Sequence, residues 1–165
     1  MRPGAVLGYP PHVFIDNHMP PCPLNLYGAA TAWGEALARE YAAASATSIL
    51  CVRIGYVAAP DATVFTLRHP QLDLALTLRD LIGVLSACIE APDCLRFGIY
   101  HAVSQHPSRR FDMQPTAADL GFVPQEDARS LAWRNLRGMI RRVRAHLRRR
   151  IKLSDLPNRS TLPGR

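Results

Sequence analysis

The sequence predicts an α/β fold. Two observations carry that expectation, and a third supports it. From Asn25 the apolar residues Leu26, Ala29, Ala30, Trp33, Leu37 and Tyr41 recur mostly at three- and four-residue steps, as on one side of a helix. The run Ser48-Ile49-Leu50-Cys51-Val52-Arg53-Ile54 that follows is nearly continuous and apolar, the pattern of a parallel strand covered on both faces. A second helical segment and a second strand candidate follow in the same order, and such alternation builds parallel sheets.

Taken in order, residues 1–24 are rich in proline (3, 10, 11, 20, 21, 23) and read as a loop, with Ala5-Val6-Leu7 as the stub of a strand. The first helix runs from Asn25 to about Ala44, and the apolar run 48–54 is the first full strand. Residues 55–76 form a long irregular connection with room for short strands, and long connections of this kind are uncommon without function. Thr77-Leu78-Arg79-Asp80 opens the next helix in the manner of a capping box, with Asp in place of the usual Glu. Pro92 closes it. Arg96–Val103 is a strand, Thr116–Leu120 a short helix stopped by Gly121, and residues 126–151 a last long helix. There are no internal repeats.

Composition bounds the function. The 165 residues carry 20 Lys+Arg and 13 Asp+Glu, with 48% hydrophobic and 20% charged residues, an ordinary balance for a folded domain. The net charge of +7 is unevenly spread: residues 131–165 carry +10 and residues 1–130 carry −3. Lys152 is the only lysine, a bias that fits a GC-rich genome. No run approaches the length of a membrane span, and Met1-Arg2-Pro3-Gly4 lacks the apolar core of a signal peptide. A cytoplasmic location is the expectation. Cys22, Cys51, Cys88 and Cys94 have no C-x-x-C spacing and are expected to be reduced and mostly buried. The histidines (12, 18, 69, 101, 106, 146) show no ligand spacing, so no metal site is expected.

The segment Leu26-Tyr27-Gly28-Ala29-Ala30-Thr31-Ala32-Trp33-Gly34-Glu35 resembles the Y-x-x-x-K region of the extended short-chain dehydrogenase/reductase family, in its NAD-dependent epimerase/dehydratase branch, uronate dehydrogenase-like members above all. Val52-Arg53-Ile54-Gly55, Leu78-Arg79-Asp80-Leu81, Phe97-Gly98-Ile99-Tyr100 with Val103-Ser104, and Leu120-Gly121-Phe122-Val123-Pro124 resemble later elements of that family in the correct order. The resemblance spans roughly residues 5–130 and leaves 131–165 as a basic helical tail. It implies a truncated Rossmann-like doubly wound sheet, the second half only, with a basic C-terminal helix. It also implies NAD or NADP as cofactor and a sugar or sugar acid as substrate.

The resemblance makes Tyr27 the general acid/base and places Tyr27, Gly55, Tyr56 and Val57 on the cofactor. Arg68, the basic residue of the 55–68 loop, becomes the contact for a substrate carboxylate or hydroxyl. On the residues alone, Tyr27 reads as an interfacial tyrosine at a helix start and Arg68 as a solvated arginine. The departures from the family matter chemically. A free phenol has a pKa of about 10. The family's lysine, four residues on, lowers it, but here that position is Thr31. The family's serine falls near Pro3, which has no hydroxyl. The ten glycines contain no G-x-G or G-x-x-G pair, so the phosphate-cradling loop of a dinucleotide fold is not among these residues. Together these predict a chain that is weak or inactive in isolation and is completed by an N-terminal nucleotide-binding half or by a second copy. Exposed strand edges and apolar faces should favour association over a compact monomer.

The tail admits a different class of function. From Arg134 to Lys152 there are eight Arg and one Lys, with Leu136, Ile140, Val143, Leu147 and Ile151 along one face. A non-enzymatic module that binds nucleic acid or an anionic membrane through this helix is the alternative. Against it stand two readings: the apolar stripe packs on the body, or the arginines are a by-product of a GC-rich frame. On charge alone, little binding should survive at about 150 mM salt, where the Debye length is about 8 Å.

Overall fold

A computed structural model describes residues 8–10, 12–58, 67–69 and 71–150, and for 145–150 the helical backbone only. The expected strand stub at Ala5-Val6-Leu7, the Pro3 position and most of the 55–68 loop lie outside the described residues.

Helix α1 spans Leu26–Ala44. The Asn25 side chain caps it by accepting from the Gly28 N–H at 2.8 Å, which satisfies one of the amides left free at a helix start. Strand β1 (Ile49–Ile54) then pairs in parallel with a later strand (Phe97–Ala102), from Ile49↔Phe97 to Ile54↔Ala102. Between them come β2 (Tyr56–Ala58), a 3₁₀ turn (Leu72–Leu74), β3 (Ala75–Thr77) and α2 (Leu78–Ile89), so that the later strand is β4. Helices α3 (Gln114–Leu120) and α4 (Arg129–Arg150) complete the order.

Side chains alternate across a strand, and paired positions share a face. Arg53 of β1 meets Glu35 of α1, and Phe97 of β4 lies under the Arg39 guanidinium, so α1 covers that face. Tyr100 has the opposite parity and donates to Asp119 of α3 at 3.0 Å, which puts α3 on the other face. Two helical layers thus flank the β1–β4 pair.

Gly55 is the junction where the chain changes partner. Its N–H donates to the Ala102 carbonyl at 2.8 Å, and β2 then pairs in parallel with β3. A Cβ at position 55 would fall on the Leu74 carbonyl and against Val103, so the glycine is required by close approach of two backbones. Gly121 ends α3 at φ 65°, the left-handed cap expected there.

The core joins Ile15, Leu76, Val84, Ala102, Val103, Phe111, Met113 and Phe122. Ile15 reaches it because its segment pairs with 110–112: the Ile15 N–H donates to the Arg110 carbonyl and its carbonyl accepts from Asp112. A smaller cluster of Leu72, Ala75, Ala128 and Leu131 anchors the first turn of α4.

Two expectations about burial, the enclosed first strand and the mostly buried cysteines, are corrected. Strand β1 is half-buried rather than enclosed, because among the described residues β4 is its only partner strand. Cys51 of β1 and Cys88 of α2 are half-buried, and Cys22 and Cys94 are exposed. The apolar stripe that identifies α1 as a helix faces outward: Leu26, Trp33, Leu37 and Tyr41 are exposed, while Gly28, Glu35 and Ala42 pack inward. The stripe on α4 does not pack on the body either. Trp133, Met139, Ile140 and Val143 are all exposed, since only the first turn reaches the Leu72–Leu131 cluster.

Candidate active site

Contacts along α1 fix where its start lies. Glu35 bonds Arg53 near the end of β1, whereas Arg39, one turn later, covers Phe97 at the beginning of β4. The helix therefore runs antiparallel to the strands. Its N-terminus, with Tyr27, projects past the carboxyl end of β1, the end at which Gly55, Tyr56 and Val57 follow. In open α/β sheets, ligands bind at the carboxyl ends of the strands. Tyr27, Gly55, Tyr56 and Val57 thus belong to one end of the sheet.

Tyr27 is 72% exposed and its phenol is free to meet a ligand, while the buried Gly28 lets the helix start sit close to the body. Thr31 follows one turn later. Its hydroxyl donates to the Tyr27 backbone carbonyl at 2.9 Å, so it is engaged by the helix and brings no positive charge to the phenol. Gly55 is explained by the Leu74 and Val103 contacts, and Tyr56 and Val57 lie within the β2–β3 pair. Arg68 sits in an exposed turn before the 3₁₀ segment and forms no ion pair among the described residues. These residues do not make a seat for a whole dinucleotide. They offer one ring-side surface and no array of free N–H groups for a pyrophosphate.

The structure adds two buried polar systems that sequence spacing does not reveal. Arg53 donates through Nε and Nη2 to the two carboxylate oxygens of Glu35, each at 2.7 Å, and both side chains are nearly enclosed. Beside them, His101 is fully buried, its Nδ1 3.2 Å from the Asp112 carbonyl and its ring edge-on to Phe111. Arg53 Nη1, His101 Nε2 and Asn17 Oδ1 have no hydrogen-bond partner among the described residues.

The second system centres on Asp80. One carboxylate oxygen accepts from Ser104 Oγ at 2.5 Å and from the Glu126 N–H at 3.3 Å, and the other accepts from the Gln125 N–H at 2.8 Å. Thr77-x-x-Asp80 is thus only half a capping box. Thr77 Oγ1 accepts from the Asp80 N–H, but the Thr77 N–H donates to Ser104, and the Asp80 carboxylate ties α2 to the segment after α3. The Thr-x-x-Asp spacing was the one available signal for this system.

Burial is the main cause that lowers the His101 pKa from 6.5 to about 4, outweighing the Asp112 carbonyl, which raises it. The folded pKa lies below the unfolded one, so the unfolded chain takes up the proton first as pH falls. Stability should be intact above about pH 6.5 and decline toward pH 4, by up to about 3 kcal/mol. Urea denaturation at several pH values should show a shallower decline in His101→Gln than in the parent chain. Equal slopes would contradict this.

An open cleft of about 440 Å³ lies between α2 and α3, lined by Ser86, Glu90, Asp119, Phe122 and Gln125 among others. It is across the sheet from α1 and takes no part in the Tyr27 surface.

No family model matches the chain. It is 30% identical over 126 residues to the NAD-dependent glucose-6-phosphate dehydrogenase of Haloferax volcanii, covering 72% of this chain and 44% of that protein. Among solved structures it is similar to the glucuronic acid dehydrogenase of Chromohalobacter salexigens, with a TM-score of 0.61 and 28% identity over 73% of this chain and 43% of that one. A mutant uronate dehydrogenase of Agrobacterium tumefaciens complexed with NAD shares the fold, with a TM-score of 0.66 at 23% identity over 81% of this chain and 47% of its own. The chain spans less than half the length of each. No described helix is long and apolar enough to cross a membrane. With its parallel strand pairs between helical layers, the chain has a Rossmann-like α/β fold similar, over about three quarters of its length, to part of the uronate dehydrogenases.

Proposed function

We propose that this chain contributes the acid/base tyrosine and the nicotinamide-facing end of an NAD(P)-dependent sugar or sugar-acid dehydrogenase, and that a nucleotide-binding half must complete it. The observation that supports this most is the exposed Tyr27 at the start of α1, set at the same end of the sheet as Gly55, Tyr56 and Val57. A bound nicotinamide would supply the hydride acceptor. Tyr27 would take or return the proton of the substrate hydroxyl, and Arg68 would meet a substrate carboxylate.

The completing half has surfaces to cover. The outward stripe of α1 (Leu26, Trp33, Leu37, Tyr41) and the half-buried β1 are apolar surface that a single folded unit normally buries. A second copy of the chain is the other candidate for that surface.

The test is complementation. The chain, mixed with the nucleotide-binding half of a uronate dehydrogenase, should reduce NAD with a sugar-acid substrate where neither part does so alone. Tyr27→Phe should lower that rate by about 10²-fold or more, the usual worth of positioned acid/base catalysis. A Tyr27→Phe chain that supports full turnover would remove Tyr27 from the chemistry.

A further inference from the structure

We propose that α4 is an interfacial helix that docks this chain on an anionic lipid surface; nothing in this depends on the dehydrogenase reading. One reading of the sequence packs the apolar stripe of α4 on the body, but the structure leaves it exposed. Trp133, Met139, Ile140 and Val143 are 50%, 56%, 43% and 51% exposed. At 3.6 residues per turn these four and Leu136 fall within about a third of the helix circumference. Arg134, Arg137, Arg141, Arg142 and Arg144 lie outside that arc and form no ion pair among the described residues. Among the described residues, the apolar anchor of α4 on the body is its first turn, through Leu131 in a cluster with Leu72, Ala75 and Ala128. Gly138 faces open space, with nothing closer than the Arg142 side chain.

The charges select the occupant. Helix α4 contains nine arginines (129, 134, 137, 141, 142, 144, 148, 149, 150) and no acid. A second copy would bring a like-charged helix against it. A nucleic acid would satisfy the arginines and leave Trp133, Ile140 and Val143 in water. An anionic bilayer surface satisfies both faces: the apolar arc enters the acyl boundary, the flanking arginines meet the headgroup phosphates, and Trp133 takes the interfacial position favoured by amphipathic rings. The rest of the chain, at −3 over residues 1–130, is repelled by the same surface and would stand off from it. Insertion of the stripe is not screened by salt, so binding should persist where charge alone would fail.

The test is sedimentation of the full chain with vesicles at about 150 mM salt, where diffuse attraction is largely screened. The vesicles are pure phosphatidylcholine or contain about 30% phosphatidylglycerol, and binding to the anionic ones should be at least about tenfold tighter. Ile140→Asp with Val143→Asp should weaken it by about tenfold or more, and so should Arg137→Gln with Arg141→Gln and Arg144→Gln. In a Trp33→Phe background, Trp133 emission should shift to the blue on binding. All these positions are exposed, and circular dichroism checks that the variants keep the parent fold. Failure to bind anionic vesicles at that salt overturns the proposal. So does anionic binding that Ile140→Asp with Val143→Asp leaves unchanged. Tighter binding to duplex DNA, equally insensitive to those two substitutions, would assign α4 to nucleic acid instead.

Discussion

Asp80→Ala is expected to remove a large part of the chain's stability. The Asp80 carboxylate is 1% exposed and accepts from Ser104 Oγ and from the Gln125 and Glu126 amides. Alanine leaves these buried donors without partners and unties α2 from the segment after α3. Each abandoned buried donor costs about 1–3 kcal/mol, so a loss of about 3–5 kcal/mol is expected. That is a large part of the 5–15 kcal/mol or so that holds a typical domain. Asp80→Asn keeps one acceptor oxygen and should cost less. Urea denaturation measures both. A loss below about 1 kcal/mol for Asp80→Ala would mean that the network is not formed as described.

The Asp80 system shows where sequence reading stops. The Thr77-x-x-Asp80 spacing locates a helix start, but a capping box and a buried tertiary anchor share the same letters. Ser104, Gln125 and Glu126 come to Asp80 only through folding. The same holds for α1. The period of Leu26, Trp33, Leu37 and Tyr41 gives the helix, yet the packed face is the one with Gly28, Glu35 and Ala42. Apolar periodicity reports a face that avoids water, not which partner covers it. Among the described residues nothing covers these stripes. The Glu35–Arg53 pair breaks the pattern from the other side, since two charged residues at apolar positions were legible as neither core nor site.

Thr31→Lys should have the largest effect on activity, and only in the completed enzyme. With a nucleotide-binding half supplied, the lysine ammonium would stand one turn from the Tyr27 phenol and lower its pKa. A shift of about three units is worth roughly 4 kcal/mol. Turnover should rise by at least about tenfold, and the pH at which the rate falls on the acid side should move down. In the chain alone the substitution should yield no activity. If the parent pair already turns over as fast as the lysine pair, Thr31 is not the defect proposed here.

Elements were legible where local pattern and tertiary environment agree. The starts of α1 and α2, the strand 49–54 with its partner 97–102, and the stop at Gly121 follow from caps, period and glycine chemistry. The switch of partner at Gly55 was not, because a glycine demanded by the Leu74 carbonyl reads like one demanded by a cofactor. His101 is packed, and its pKa is lowered by burial beside residues such as Phe111, which no spacing connects to it.

Calorimetric titration of the isolated 165-residue chain with NAD tests the central claim most directly. The proposal gives the chain the tyrosine side of a dehydrogenase site, while its 165 residues contain no G-x-G or G-x-x-G loop to present N–H groups to a pyrophosphate. The account predicts no one-to-one site tighter than about 10 μM, or roughly −7 kcal/mol. A stoichiometric site below that concentration would contradict it.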